Sequence, residues 1–122
     1  METFNKVNIE DKLLLFTEYW SPKIVGQLNG QQVKLVKFKG EFVWHKHDNE
    51  DELFYVLKGS FNMEFRDKTV TLNANEFLIV ERGTEHRPVA ENEVSVMLFE
   101  PATTLNTGDT TGDLTKPELD II

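Results

Sequence analysis

Gly40-Glu41-Phe42-Val43-Trp44-His45-Lys46-His47-Asp48-Asn49-Glu50-Asp51-Glu52, followed after six further residues by Gly59, is the stretch on which the fold turns. The chain has three histidines: His45 and His47 sit here, two residues apart, and His86 lies well downstream. Side chains alternate faces along a β-strand, so positions i and i+2 point the same way. His45 and His47 would therefore aim two imidazoles at one point. Glu52 follows a short acidic turn and adds a carboxylate, and His86 completes the set from a remote strand. Three imidazoles and one carboxylate suit a divalent first-row transition metal.

Outward from this stretch, the chain reads as β. Asn29-Gly30 lies between Ile24-Val25 and the run Val33 to Phe38, a two-residue hairpin pattern. Short apolar segments then recur: Glu41 to His47, Glu52 to Leu57, Phe61 to Phe65, Thr69 to Leu72, Phe77 to Val80, His86 to Ala90 and Val94 to Phe99. Turn formers separate most of them, among them Asp48-Asn49, Gly59-Ser60, Asp67-Lys68, Gly83 and Glu91-Asn92. Many short strands with frequent turns predict an all-β sandwich or barrel. Before them, Asn8-Ile9-Glu10-Asp11 reads as a capped helix start, with a helix carrying Leu13 to Phe16 and stopping before Ser21-Pro22. After Pro101 the chain turns rich in Thr, Gly and Asp without periodicity. This gives one domain in three parts: an N-terminal helix or arm over 1–22, a β-barrel over 23–101 and a tail over 102–122. A short helical turn is expected at Pro117 to Ile122. The Ala102 to Thr115 stretch reads as a mobile polar tail, with a lid over the barrel mouth as the alternative.

Alternation also sorts the faces. With His45 and His47 inward, Val43 is inward, and Phe42, Trp44 and Lys46 face outward. With Glu52 inward, Phe54 and Val56 follow it, and Leu53, Tyr55 and Leu57 face outward. The outer face is then strongly apolar and needs a second layer, from the N-terminal helix or from a second subunit. A homodimer is expected.

At 122 residues the chain is long enough for one domain with a sizeable core. It has no cysteine, so disulfides, thiolate ligands and cysteine nucleophiles are excluded within it. Its 13 basic and 21 acidic residues give a net charge of −8, which argues against nucleic-acid phosphates as a partner. No apolar run approaches the ~20 residues of a membrane span. Met1 to Lys6 shows no basic-then-apolar leader pattern. A cytoplasmic location is the expectation.

These residues resemble the cupin superfamily. Its first motif, Gly, five residues, His-x-His, three or four residues, Glu, six residues, Gly, is matched by Gly40, His45, His47, Glu52 and Gly59, with one residue fewer after Gly40. Its second motif, Gly, five residues, Pro-x-Gly, two residues, His, three residues, Asn, is matched at Gly83 and His86. Asn75 stands where the motif has its first Gly, Glu81 where it has Pro, and Ala90 where it has Asn. Asn tolerates the left-handed backbone that Gly supplies. The resemblance implies a cupin-type conical jelly-roll β-barrel with one metal held by His45, His47, Glu52 and His86, often as a dimer.

Mixed N/O ligation suits Fe, Mn, Ni, Co, Cu or Zn in the divalent state. Metal-bound imidazole must be neutral, so affinity should fall as pH drops below about 6. Four protein ligands leave open positions for a small oxygen-bearing metabolite, which favours a metal-dependent enzyme, and the resemblance implies chemistry of dioxygenase, isomerase or lyase type. The alternative is a non-catalytic sugar- or metabolite-binding protein. Tyr55, Glu64 and Arg87 are the candidate acid/base groups. Alternation turns Tyr55 and Arg87 outward, and Glu64 reads as a surface residue, so no general base beyond the metal is identified.

Overall fold

A computed structural model describes residues 4–122; Met1, Glu2 and Thr3, which belong to the expected N-terminal arm and open the leader reading, lie outside the described residues. The segment Lys23–Leu28 (β1) turns at Asn29-Gly30 into Gln31–Glu41 (β2). Both turn residues have positive φ (51° and 77°), the backbone hand that lets a two-residue turn follow the strand twist. The remaining strands are Glu52–Lys58 (β3), Ser60–Phe65 (β4), Thr69–Asn73 (β5), Phe77–Val80 (β6) and His86–Pro101 (β7). All named strand pairings are antiparallel, in the order β1-β2-β7-β3-β6, with β4 pairing β5 and β7. β5 and β6 share no pairing, so the barrel is jelly-roll-like rather than closed.

β7 joins the two halves. Its first residues pair with β4, from His86 opposite Phe65 to Val89 opposite Asn62, and its later residues pair with β3. Sequence reading expects two strands here, parted by a turn at Glu91-Asn92. The structure has one 16-residue strand, and the exposed Glu91, Asn92 and Glu93 lie where the pairing with β2 shifts register between Phe38 and Gly40. The extra residues bend the strand without ending it, as a bulge does.

Inward positions share parity on each strand: Val36 and Phe38 on β2, Phe54 and Val56 on β3, Phe61 and Met63 on β4, Val94, Val96 and Leu98 on β7. Together with Leu72, Val80 and Trp20 they form the inner core. A second, outer cluster joins Leu13 and Phe16 to Leu35, with Val25, Leu57 and Met97 packed against it. The N-terminal segment thus covers part of the outer face.

Several local expectations are corrected. The helix spans only Ile9–Leu13: Asn8 caps it by accepting from the Asp11 amide, but it stops at Leu14, and Leu14 and Leu15 are exposed. Leu13 and Phe16, three apart, are the buried pair, so two contacts suffice to dock the segment. Glu41 to His47 is not a strand. β2 ends at Glu41, and beyond it only His45 makes a ladder contact, an isolated bridge to His86. Phe42, expected outward, is buried in the inner core, because leaving the ladder frees the chain from strict alternation. Pro117 to Ile122 forms no helix; Ile121 bridges Ile24 in parallel, and Ile24 and Ile122 exchange bonds with the chain opposite them.

The segment after Pro101 is irregular but anchored. The Asp109 amide donates to the Lys46 carbonyl (3.0 Å), the Lys46 amide donates to Asp109 Oδ1 (2.9 Å), and Thr110 Oγ1 donates to the Trp44 carbonyl (3.0 Å). Thr104 and Thr107 are buried. These bonds tie the stretch to the segment carrying His45 and His47 instead of leaving it a free tail. No described helix is long and apolar enough to cross a membrane.

Candidate metal centre

The bridge between His45 and His86 builds the centre. The His45 amide donates to the His86 carbonyl (3.1 Å) and the His86 amide donates back to His45 (2.9 Å), which sets the two rings side by side with centroids 4.3 Å apart. His47 is held by the Gly83 amide, which donates to its carbonyl (2.8 Å). Glu52 enters from the first position of β3. All four side chains are buried, and one ligand atom from each lies within 4.8 Å of the others. The structure brings together every ligand expected from sequence.

Ring orientation follows from two short contacts. His45 Nδ1 sits 2.9 Å from the Val43 carbonyl, and His86 Nδ1 sits 2.8 Å from the Thr84 carbonyl. A carbonyl only accepts, so both Nδ1 atoms carry a hydrogen, and each Nε2 is the ring atom left to face the other ligands. Such contacts fix tautomer and aim in metal-binding imidazoles. His47 Nε2, Glu52 Oε1 and His86 Nε2 are buried without a hydrogen-bond partner. The Glu52 Oε1 atom lies 3.2 Å from His47 Nε2 and 3.7 Å from His86 Nε2, close in charge terms but not aligned for hydrogen bonding. Orphaned buried polar atoms are costly, and three converging on one point fit a cation.

The electrostatics agree. Burial, then the neighbouring His86, pushes His45 down to about 4, so its ring is neutral at ordinary pH. Burial also works against a charged His47, but Glu52 beside it outweighs this and raises it above the usual imidazole value. Burial raises the Glu52 carboxyl, yet contacts with Glu100, His47 and His86 prevail and hold it well below the usual range. Glu52 is therefore an anion ready to bind.

Two residues at the site escaped sequence reading. Lys34 and Glu100 are buried and paired, Nζ to Oε2 at 2.5 Å. Burial, then the charge of Glu52, pushes Glu100 well above the carboxylate range. Parity was the available signal: Lys34 shares its face with Val36 and Phe38, and Glu100 shares its face with Val94, Val96 and Leu98. The candidate acid/base groups lie elsewhere. Tyr55 donates to Asn75, and Arg87 donates to Glu64 (2.7 Å) and Glu41 (3.3 Å) while lying over Trp44. Arg82 and Glu85 form exposed pairs with Asp51 and Arg66.

Beside the ligands is a cavity of about 30 Å³, lined by Trp20, Phe42, His45, Glu52, Glu100 and Asn106 among others. That volume admits water. Trp20 stacks on Phe38 (4.5 Å) and Phe42 (4.8 Å), and Phe42 meets the His45 ring edge-on. Asn106 belongs to the anchored C-terminal segment, which thereby contributes to the cavity wall.

Residues 33–101 match the family model described as "Cupin domain". A cupin-2 domain containing protein from Shewanella frigidimarina, of known structure, is 44% identical, with a TM-score of 0.77 over 78% of this chain and 93% of that one. Protein NMB1881 from Neisseria meningitidis is 31% identical, with a TM-score of 0.74 over 80% of this chain and all of the other. The "uncharacterized protein YdbB" of Bacillus subtilis is 44% identical over 64 residues, which are 52% of this chain and 57% of that protein. Asn75, at the position where the motif has glycine, has φ 69°, the hand a glycine would supply there.

Proposed function

The chain belongs to the cupin family, and from that premise we propose that it is a metal-dependent enzyme acting on a small oxygen-bearing metabolite. His45, His47, Glu52 and His86 would hold one divalent transition metal. The observation that carries the reading is the set of four buried ligand atoms within 4.8 Å of one another, three of them without any other partner. When bound, such an ion supplies Lewis acidity to an oxygen donor or redox chemistry with dioxygen. The chain's own residues orient the rings through Val43 and Thr84, keep His45 neutral and Glu52 charged, and bury all four side chains from solvent.

The test starts with elemental analysis of protein purified without chelator. Close to one transition-metal ion per chain is expected, and His47→Ala should abolish it, since three remaining ligands lose the member nearest Glu52. Full metal retention in that variant would move the centre elsewhere. Oxygen uptake and product analysis with catechols, diketones and hydroxy acids then separate turnover from binding. The second reading, a non-catalytic metabolite binder, draws on the absence of a free acid/base group at Tyr55, Glu64 or Arg87. Tight retention of one metabolite without turnover would favour it.

The reading includes a homodimer and a cytoplasmic location. Phe77 and Ile79 on β6 are exposed, and they pair across the ladder with Tyr55 and Leu53 of β3, next to Met97 and Phe99 of β7. This apolar strip lies beyond the part covered by Leu13 and Phe16. A second copy of the chain offers the same strip and suits a two-fold contact.

A further inference from the structure

The inner wall of the barrel carries one polar rung. On β3 and β7, Leu53 pairs with Phe99, so the next step sets Glu52 across from Glu100. On β2, Gln32 pairs with Glu100 and Lys34 with Leu98, which puts Lys34 on the diagonal to Glu100. Lys34, Glu100 and Glu52 thus run side by side across three strands, and the inward positions flanking them are Val36, Leu98 and Phe54. Lys34 and Glu100 are 1% and 2% exposed. Stability does not explain such a pair: buried ion pairs are commonly matched or bettered by apolar residues of the same volume. Sixty-six residues separate the two, so local sequence does not explain it either.

We propose that Lys34 and Glu100 are positioning residues for the metal centre, which hold Glu52 against the imidazoles of His47 and His86. Glu52 has imidazoles on one side and Glu100 on the other. Two adjacent carboxyl groups in a dry interior do not both ionise, so their mutual arrangement depends on what each is bonded to. Lys34 Nζ donates to Glu100 Oε2 and fixes that side chain, while Oε1 has no partner of its own. Glu52 is left with one direction in which to present its oxygen, toward His47 and His86. The inference rests on the metal-centre reading and adds to it the residues that set the ligand geometry.

The experiment loads the full chain with Co(II), whose visible absorption reports coordination geometry, and measures affinity by competition with a chelator. The paired replacement Lys34→Met with Glu100→Leu keeps volume and removes both polar groups, so it is expected to fold. It should bind Co(II) about 10- to 100-fold more weakly, the usual size of an outer-sphere effect, and its spectrum at saturation should shift. Glu100→Gln retains an acceptor for Lys34 and a polar contact for Glu52, and its spectrum should stay that of the unmodified protein. A folded double variant with unchanged affinity and unchanged spectrum would overturn the inference alone. Absence of Co(II) uptake by the unmodified chain would remove the metal-centre reading and this inference with it.

Discussion

His47 differs from the other two imidazoles in its neighbour. Glu52 Oε1 lies 3.2 Å from its Nε2 and raises its pKa, whereas burial drives His45 down to about 4. An ion must displace any proton it finds, so the two residues contribute differently to pH dependence. His45 is already neutral well below pH 6. His47 is protonated below a pKa that lies above the ordinary 6.5, so metal affinity should decline as pH falls through that higher value, not from about 6. Below it the loss should approach about tenfold per pH unit, one proton being displaced per ion. Competition titrations with Co(II) between about pH 6 and 8 measure this. A flat profile over that range would mean that Glu52 does not raise His47. The ligand types were legible in sequence because His-x-His and Glu52 are local. The raised value was not, because it depends on a 3.2 Å contact made by folding.

The C-terminal segment shows most clearly, at the level of elements, how composition misleads. Ala102 to Thr115 has the makeup of a mobile tail, yet its hydrogen bonds to the backbone of Lys46, Trp44 and Gly30 tie it down. Gly108 is the tight point. Its φ is +55°, and a Cβ there would stand 2.2 Å from the Lys46 carbonyl oxygen and 3.1 Å from His45 Cδ2. The neighbour is backbone, which cannot swing aside, so Gly108→Val should dislodge the segment. The expected loss is roughly 1–3 kcal/mol in chemical denaturation, from strain and lost packing. Hydrogen exchange should quicken in residues 102–116, while β3 and β7 keep their protection. Unchanged exchange would mean that the segment does not depend on this contact. The hairpin at Asn29-Gly30 is the opposite case: both residues select the turn by their own backbone preferences, so sequence was enough.

At the scale of the whole molecule, the outer face is divided between two coverings. Leu13 and Phe16 take the part over Leu35, Leu57 and Met97, and the strip ending in Phe77 and Ile79 remains exposed. Burying either side chain in a contact contributes about 1.5–3 kcal/mol. Light scattering should therefore find twice the 14.1 kDa chain mass at micromolar concentration. Phe77→Glu combined with Ile79→Lys should return the chain mass with the metal content unchanged; a monomer before substitution would refute the dimer. By itself, the sequence determined the strand-rich class, the hairpin, the four residues that converge at the candidate centre and the apolar parity of β3, because these depend on turn preferences and alternation within a few residues. Tertiary structure alone decided that β7 runs unbroken through both halves, that Phe42 turns inward, that Lys34 and Glu100 form a polar rung beside Glu52, and that Asn106, Asp109 and Thr110 lie against the cavity and the segment carrying His45 and His47. Each of these depends on register between segments distant in the chain, and register is set by the collective packing of the core rather than by any residue's own preference.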